Sequence, residues 1–241
     1  AKFLTSVLYL TPFVKKRVIK NPSEDFSKPA VIIANHTSFL DTLAIAMATH
    51  KIIYLVNDWV YESPVFGKLV KALGFYPVSQ GIENGMDKLK EKIAQGYSLV
   101  VFPEAERSYT NDVKRFHKGA FYLAEQFGLD VLPLYIHGNS EVLPKGDFII
   151  YDGSITVKVG NRISKDDMSF GKNYSERTKK INAYFREEFA TLREEIEDEN
   201  YFKKKLFLSY LYKDSEVVNE VKEDFNTKKS VYFELNKHIS N

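Results

Sequence analysis

Short apolar runs alternate with amphipathic stretches along the first two thirds of the chain. Pro29–Ala34 (PAVIIA), Ile52–Val56 (IIYLV), Tyr97–Phe102 (YSLVVF) and Val131–Ile136 (VLPLYI) are rich in β-branched and aromatic residues and almost without polar positions. That is the pattern of strands buried on both faces. Phe75–Ser79 (FYPVS) is a shorter segment of the same kind. Between these runs, Thr42–Ala48, Val65–Leu73, Gly85–Gln95 and His117–Phe127 carry apolar residues at helical spacing, and Gly74, Gly96 and Gly128 stand where helices end. Strand–helix alternation of this kind predicts an α/β domain with a largely parallel central sheet flanked by helices. Phe148–Tyr151 and Ile155–Val159 predict a hairpin across Asp152-Gly153-Ser154, because Asp-Gly is a strong turn signal.

The two ends of the chain differ from this body. In Ala1–Lys20, Phe3, Leu4, Val7, Leu8 and Leu10 share one helix face, Pro12 interrupts it, and Lys15, Lys16, Arg17 and Lys20 close the stretch. An amphipathic element with a basic end suits an anionic membrane surface. It equally describes an N-terminal helix docked on its own core with its basic end in water. Asn21–Lys28 is a polar linker. From Tyr174 to Glu197 the chain is charged and helix-periodic, and a charge-rich stretch and an aromatic end follow. The expected organisation is a membrane-surface helical segment and linker over residues 1–28, an α/β domain over 29–165, and a helical appendage without catalytic signature over 166–241. The first residue is Ala1, not methionine, as in a chain trimmed or cut from something longer.

Composition narrows the function classes. With 44% hydrophobic and 14% aromatic residues in 241, a substantial core is available. The absence of cysteine removes disulfides, thiolate metal sites and a cysteine nucleophile. A net charge of +2 gives nucleic-acid binding no support. No apolar run is long enough to cross a bilayer, and no signal peptide is visible.

Candidate chemistry gathers at two strand ends. NHTSFLD, Asn35–Asp41, follows the first buried strand, so His36 sits at a strand-to-helix turn with Asp41 five residues on. A carboxylate folded back onto the imidazole holds one ring nitrogen protonated and leaves the other to act as a base. FPEAERS, Phe102–Ser108, follows another buried strand and carries Glu104 and Arg107. Glu104 and Arg107 also have the charges to pair with each other on the surface. Ligands of open α/β sheets bind at the carboxyl ends of strands, so the two loops can share one cleft. No G-x-S-x-G elbow supplies a protein nucleophile, and no H-E-x-x-H supplies a zinc site. His50, His137 and His238 read as structural or solvent-facing; His117 lies nearer the second loop. Phe121, Tyr122 and Phe127 read as core, and Trp59 as a packing or membrane-touching residue.

Four segments in order carry a resemblance. They are Asn35, His36 and Asp41; Gly74–Gln80 (GFYPVSQ); Phe102–Ser108 (FPEAERS); and Val131–Ile136 around Pro133, with Arg115–Gln126 (RFHKGAFYLAEQ) after the third. Over Phe26–Val159 the chain resembles the glycerolipid acyltransferase family, of which lysophosphatidic-acid acyltransferases are the best-known members. It is also similar to a bacterial branch in which this domain is sometimes part of a longer, membrane-exporter-associated polypeptide. The resemblance implies acyl transfer from an acyl thioester, acyl-coenzyme A or acyl carrier protein, to a hydroxyl of a lysolipid acceptor. No further cofactor and no metal is implied. The implied location is the cytoplasmic face of the inner membrane, as a peripheral or monotopic protein. His36 would take the proton of the acceptor hydroxyl and Asp41 would orient His36, with no acyl-enzyme. Backbone N–H groups at the helix start would steady the oxyanion. Glu104, Arg107, Ser108, Gly74, Gln80 and Lys118 would line the acceptor or phosphate site.

This sequence departs from the family's pattern at two places. Gln80 stands where the family carries a phosphate-binding arginine, and Ala105-Glu106 replaces Gly-Thr in the third segment. The change to Ala105 is small if φ there is negative and disruptive otherwise. The chemistry is thus expected intact and the head-group contacts altered, toward an acceptor such as a lyso-aminolipid. The other classes in view are a lipid-binding module that has lost catalysis and an ester or thioester hydrolase.

Overall fold

The computed structural model describes residues 8–9, 11–56, 58–64, 67–72, 75–77, 86–109, 111–147, 149–198 and 200–202. The elements run β1 Val14–Ile19, β2 Ala30–Ala34, α1 Leu40–Ala48, β3 Ile52–Val56, α2 Asp58–Tyr61, α3 Gly67–Ala72, β4 Tyr76–Pro77, α4 Met86–Ala94, β5 Ser98–Val101, α5 Gly119–Phe127, β6 Asp130–His137, α6 Asn139–Val142, β7 Gly153–Val159 and α7 Tyr174–Ile196. Seven strands form one sheet in the order β1-β7-β6-β2-β5-β3-β4. β2 lies centrally, parallel to β6 from Ala30↔Asp130 to Ala34↔Leu134 and parallel to β5 from Val31↔Leu99 to Ile33↔Val101. β3 continues the parallel set between β5 and β4. β7 turns antiparallel against β6, and β1 runs parallel to β7. One edge of the sheet therefore collects the carboxyl ends of β2 to β6 and the amino ends of β1 and β7.

Side-chain alternation explains why the central strands are apolar throughout. Ala30, Ile32 and Ala34 join Leu132, Leu134 and Ile136 in the cluster that Ala44 and Ile45 of α1 cover. Val31, Ile33 and Leu99 point the other way and are equally buried. On that side Tyr135 packs on Phe185 at 4.6 Å between ring centres, and Phe116 lies 5.3 Å from Phe185. Phe121, expected in the core, is buried there too.

Two expectations need correction. Val14–Ile19 (VKKRVI), read as the basic close of an N-terminal helix, is an edge strand in register with β7 from Val14↔Gly153 to Ile19↔Lys158. Its three consecutive basic residues, Lys15, Lys16 and Arg17, hide a strand from any search for apolar runs. Of the five apolar positions expected on the helix face, only Leu8 is among the described residues. The hairpin across Asp152-Gly153-Ser154 does not form among the described residues. Gly153–Val159 spends its two edges on β6 and β1, and Tyr151 N–H donates instead to Val142 O at 2.8 Å. The chain divides into two compact units, residues 1–188 and 189–241, because Ile181 and Phe185 of α7 belong to the buried core of the first. In the second unit Arg193 Nε pairs with Glu197 Oε1 at 2.7 Å. No described helix is long and apolar enough to cross a membrane.

Candidate active site

The site begins where β2 stops. The Asn35 side chain takes the place of a sheet rung. Its Nδ2 donates to Ile136 O at 2.8 Å, and its Oδ1 accepts from Ile136 N–H at 2.9 Å. The ends of β2 and β6 are thereby tied together just before the chain turns. The His36 backbone is then held by the loop after β5. Its N–H donates to Glu104 Oε1 at 2.9 Å and its carbonyl accepts from Ser108 N–H at 2.7 Å. The imidazole lies on the Phe102 ring, 4.0 Å between centres and 15° from parallel, with its side chain 19% exposed.

Asp41 occupies the first turn of α1 and is fully buried. A buried carboxylate needs donors, and a helix start provides them. Asp41 Oδ2 accepts from Thr37 N–H at 2.7 Å, from Ser38 N–H at 2.9 Å and from His36 Nδ1 at 2.8 Å. Oδ1 accepts from Asn139 Nδ2 at 2.6 Å. An ionised carboxylate can only accept, so Nδ1 carries the proton and Nε2 is left as the basic nitrogen. The N–H groups of Thr37 and Ser38 are spent on Asp41, and that of Leu40 donates to Ser38 Oγ at 3.2 Å.

Glu104 does not pair with Arg107. It is buried, with Oε1 on His36 N–H and Oε2 accepting from Lys114 N–H at 2.8 Å. Burial pushes its carboxyl above the usual range, against the lowering pull of those two amides. Expected at the acceptor, its oxygens face the protein's own backbone, and Glu104 acts as a strut under His36. Ser108, also expected at the acceptor, is buried and contributes its amide to His36.

The remaining loop is less closed. Ala105 has φ 63°, in the left-handed region, so this is the disruptive case of the Gly-to-Ala change. Glu106 Oε1 pairs with Lys114 Nζ at 2.7 Å, and that lysine holds the exposed carboxyl below its usual range. Arg107 lies with its guanidinium carbon 3.8 Å from the centre of the Phe39 ring, and its Nη1 is buried without a hydrogen-bond partner among the described residues. Lys145 Nζ donates to Arg107 O at 2.8 Å and lies 4.1 Å from the Tyr109 ring centre. Lys118, at the N-cap of α5, and His117 are exposed. Gly74 and Gln80 lie outside the described residues.

Sequence reasoning missed Asn139, Lys145, Phe102 as the histidine's platform, and Phe39. Asn139 and Lys145 follow β6, whose carboxyl end meets the same sheet edge. The strand-end rule applied to β2 and β5 would have found them had it been applied to β6.

A family model described as Acyltransferase matches residues 14–137, from the first residue of β1 to the last of β6. The chain belongs to the acyltransferase family. Among its curated members, the chloroplastic 1-acyl-sn-glycerol-3-phosphate acyltransferase LPAT1 of Arabidopsis thaliana is 29% identical over 175 residues, 68% of this chain and 49% of that protein. A probable 1-acyl-sn-glycerol-3-phosphate acyltransferase of Mycoplasma genitalium is 28% identical over 121 residues, 46% of this chain and 45% of the other. The chain spans about half the length of the curated relatives it matches. The crystal structure of the 1-acyl-sn-glycerophosphate acyltransferase PlsC from Thermotoga maritima superposes with a TM-score of 0.65 at 20% identity, over 79% of this chain and 77% of that one. The chain thus shares its α/β fold with that structure. The family match ends two residues before Asn139.

Proposed function

We propose that this acyltransferase moves a fatty acyl chain from an acyl thioester, acyl-coenzyme A or acyl carrier protein, to a hydroxyl of a lysolipid acceptor. The observation that carries the reading is the His36 Nδ1–Asp41 Oδ2 bond of 2.8 Å, made to a fully buried carboxylate. It presents Nε2 as a base whose tautomer is fixed before substrate arrives. Nε2 takes the acceptor's hydroxyl proton as that oxygen attacks the thioester carbonyl. The ester C–O bond forms, the C–S bond breaks, and the imidazolium returns the proton to the departing thiolate. Asp41 stays ionised throughout and stabilises the imidazolium. No acyl-enzyme is needed.

The names of the relatives support an acceptor of the 1-acylglycerol-3-phosphate type. Arg107, with an unpartnered Nη1 in a buried place, offers the bidentate geometry a phosphate takes. Gln80 and the Glu106–Lys114 pair support a head group held differently from the family's usual one, with a lyso-aminolipid as the alternative acceptor. A membrane surface suits the substrate. Phe13 precedes β1, Phe39 and Tyr109 sit in the loops after β2 and β5, and Ile149 lies shortly before β7; all four are exposed, at the sheet edge that holds His36. Such an apolar rim fits peripheral attachment, at the cytoplasmic face if the bacterial resemblance holds.

The test is lipid mass spectrometry of the purified chain given acyl-coenzyme A or acyl carrier protein thioester and mixed lysolipid vesicles. An acylated lipid should form, and His36→Ala should lower its rate by about 10²- to 10⁴-fold. Free fatty acid in its place would make the protein a hydrolase. Equal lipid binding by both proteins with no product would make it a binding module. Full activity on lysophosphatidic acid, abolished by Arg107→Ala, would sink the altered head-group reading.

A further inference from the structure

We propose that Asn139 is a positioning residue for this transfer, fixing the plane of the Asp41 carboxylate and through it the His36 ring. The inference rests on the proposed general-base chemistry and assigns one of its supports to a residue 98 positions along the chain from Asp41.

The distribution of donors around Asp41 is uneven. Thr37 N–H, Ser38 N–H and His36 Nδ1 all come from the carboxylate's own loop, and all three converge on Oδ2. Oδ1 is held by Asn139 Nδ2 at 2.6 Å. Three donors hold Oδ2 in place and leave the other oxygen to Asn139; that fourth donor gives the carboxylate its second fixed point and with it a defined plane. The assignment of the amide is settled by chemistry, because a carboxylate accepts and only the NH₂ end of asparagine can donate to it.

Packing does not account for an asparagine here. Asn139 is fully buried, and its own Oδ1 has no hydrogen-bond partner among the described residues. An apolar side chain of similar size would remove that unpaired oxygen. What it would lose is the bond to Asp41. A neutral donor also has an advantage over a cationic one: lysine or arginine at this place would compete with the imidazolium for the carboxylate's charge.

The backbone delivers Asn139 with little freedom. Asn35 clamps Ile136 through both backbone groups, so the end of β6 is tied to the end of β2. Gly138 then turns the chain with φ +90°, where an added Cβ would lie 1.9 Å from Ser154 O. Asn139 opens α6, and its carbonyl accepts from Leu143 N–H at 2.9 Å. Ser38 Oγ donates to Leu143 O at 2.7 Å, so the histidine loop and α6 are joined a second time.

The experiment compares Asn139→Ala, Asn139→Leu and Asn139→Ser with the wild-type chain by steady-state kinetics, thermal melting and ¹⁵N NMR of the His36 ring. Asn139→Ala should lower kcat about 10²-fold, the cost of a small misplacement of the base, with KM for both substrates unchanged. Its His36 spectrum should show mixed tautomers where the wild type shows a proton on Nδ1. Asn139→Leu should behave alike, and where its bulk prevents folding the alanine variant is read alone. Asn139→Ser, which keeps a donor, should recover part of the rate and of the spectrum. Wild-type kcat and tautomer in Asn139→Ala overturn the proposal, as does an equal fall of alanine and serine variants that tracks melting temperature alone. The NMR arm needs no turnover. If the wild type transfers no acyl group while Asn139→Ala still scrambles the tautomer, the functional reading fails and the positioning of His36 by Asn139 stands.

Discussion

The segments that follow β2 and β5, Asn35–Asp41 and Phe102–Ser108, are neighbours, and they use their polar groups in opposite ways. In the first loop Asn35, His36, Thr37, Ser38 and Asp41 all bond inward, to β6, to the second loop or to each other. The second segment gives that inner frame the Glu104 carboxylate, the Phe102 ring under the imidazole and the Ser108 amide. The rest of it holds a left-handed alanine, an exposed ion pair and an arginine with a buried, unpartnered nitrogen. A base must be held before substrate arrives, and rigidity of that kind comes from satisfying every polar group nearby. A ligand-binding group must keep a donor in reserve. The contrast separates the part of the site built for chemistry from the part built for recognition.

The contrast breaks most visibly at Asp41. In Asp41→Asn one carboxylate oxygen becomes NH₂, while three donors converge on Oδ2 and a fourth on Oδ1. Either orientation sets donor against donor, and the imidazole is released to the other tautomer. The expected loss in kcat is about 10⁴-fold, the scale found when the triad aspartate of serine proteases is changed in the same way. Steady-state kinetics at saturating substrate measures it. A variant keeping a tenth of the wild-type kcat would show that the closed frame of the first loop is not what sustains the base.

Much of this frame was legible because its parts are local. His36 and Asp41 lie five residues apart across a strand-to-helix turn, so spacing alone brings them together. The central strands announced themselves through unbroken apolar runs, and the parallel sheet followed from their alternation with helices. What stayed hidden depends on long-range pairing. Asn139 meets Asp41 through the register of β2 with β6, which no local pattern records. Val14–Ile19 sets three consecutive basic residues between valine and isoleucine on an edge, and reads as a strand only once β7 lies beside it. Glu104 was legible as a strand-end carboxylate, but its direction, inward to two backbone amides, was not.

Glu104 is where the two loops meet, and Glu104→Gln sharpens the comparison. Glutamine offers one acceptor, so either His36 N–H or Lys114 N–H then faces an NH₂ group. The expected destabilisation is about 1–3 kcal/mol, seen as a lower melting temperature, with a smaller loss of kcat than at Asp41. Its pH dependence carries a sign. Burial raises the Glu104 carboxyl above its ordinary value, so the folded state holds that proton more tightly than the unfolded chain. The stability this proton linkage contributes is full below the ordinary glutamate range and is lost as pH rises through the raised value. The wild type's advantage over Glu104→Gln should therefore shrink with rising pH through that window, read from melting curves of both proteins. An advantage that grows instead would mean the two amide bonds outweigh burial.

The smallest expected effect tests the open side of the contrast. Ala105 holds φ 63° in a loop whose family pattern has glycine at this place. A left-handed conformation costs an L-residue about 1–2 kcal/mol. Glycine removes that cost but loses about 0.4–1 kcal/mol through the greater freedom of the unfolded chain. Ala105→Gly should thus stabilise the protein by about 0.5–1 kcal/mol, a rise of roughly 2–3 °C in Tm for a domain of this size. kcat should not change, because no bond of the His36–Asp41 frame passes through Ala105; its own amide donates to Phe102 O at 3.0 Å, and that bond survives the substitution. KM for the acceptor is the quantity free to move, since Arg107 follows two residues on. A fall in kcat with Ala105→Gly would mean that strain in the second loop is transmitted to the base, and the division between a closed catalytic loop and an open recognition loop would have to be given up.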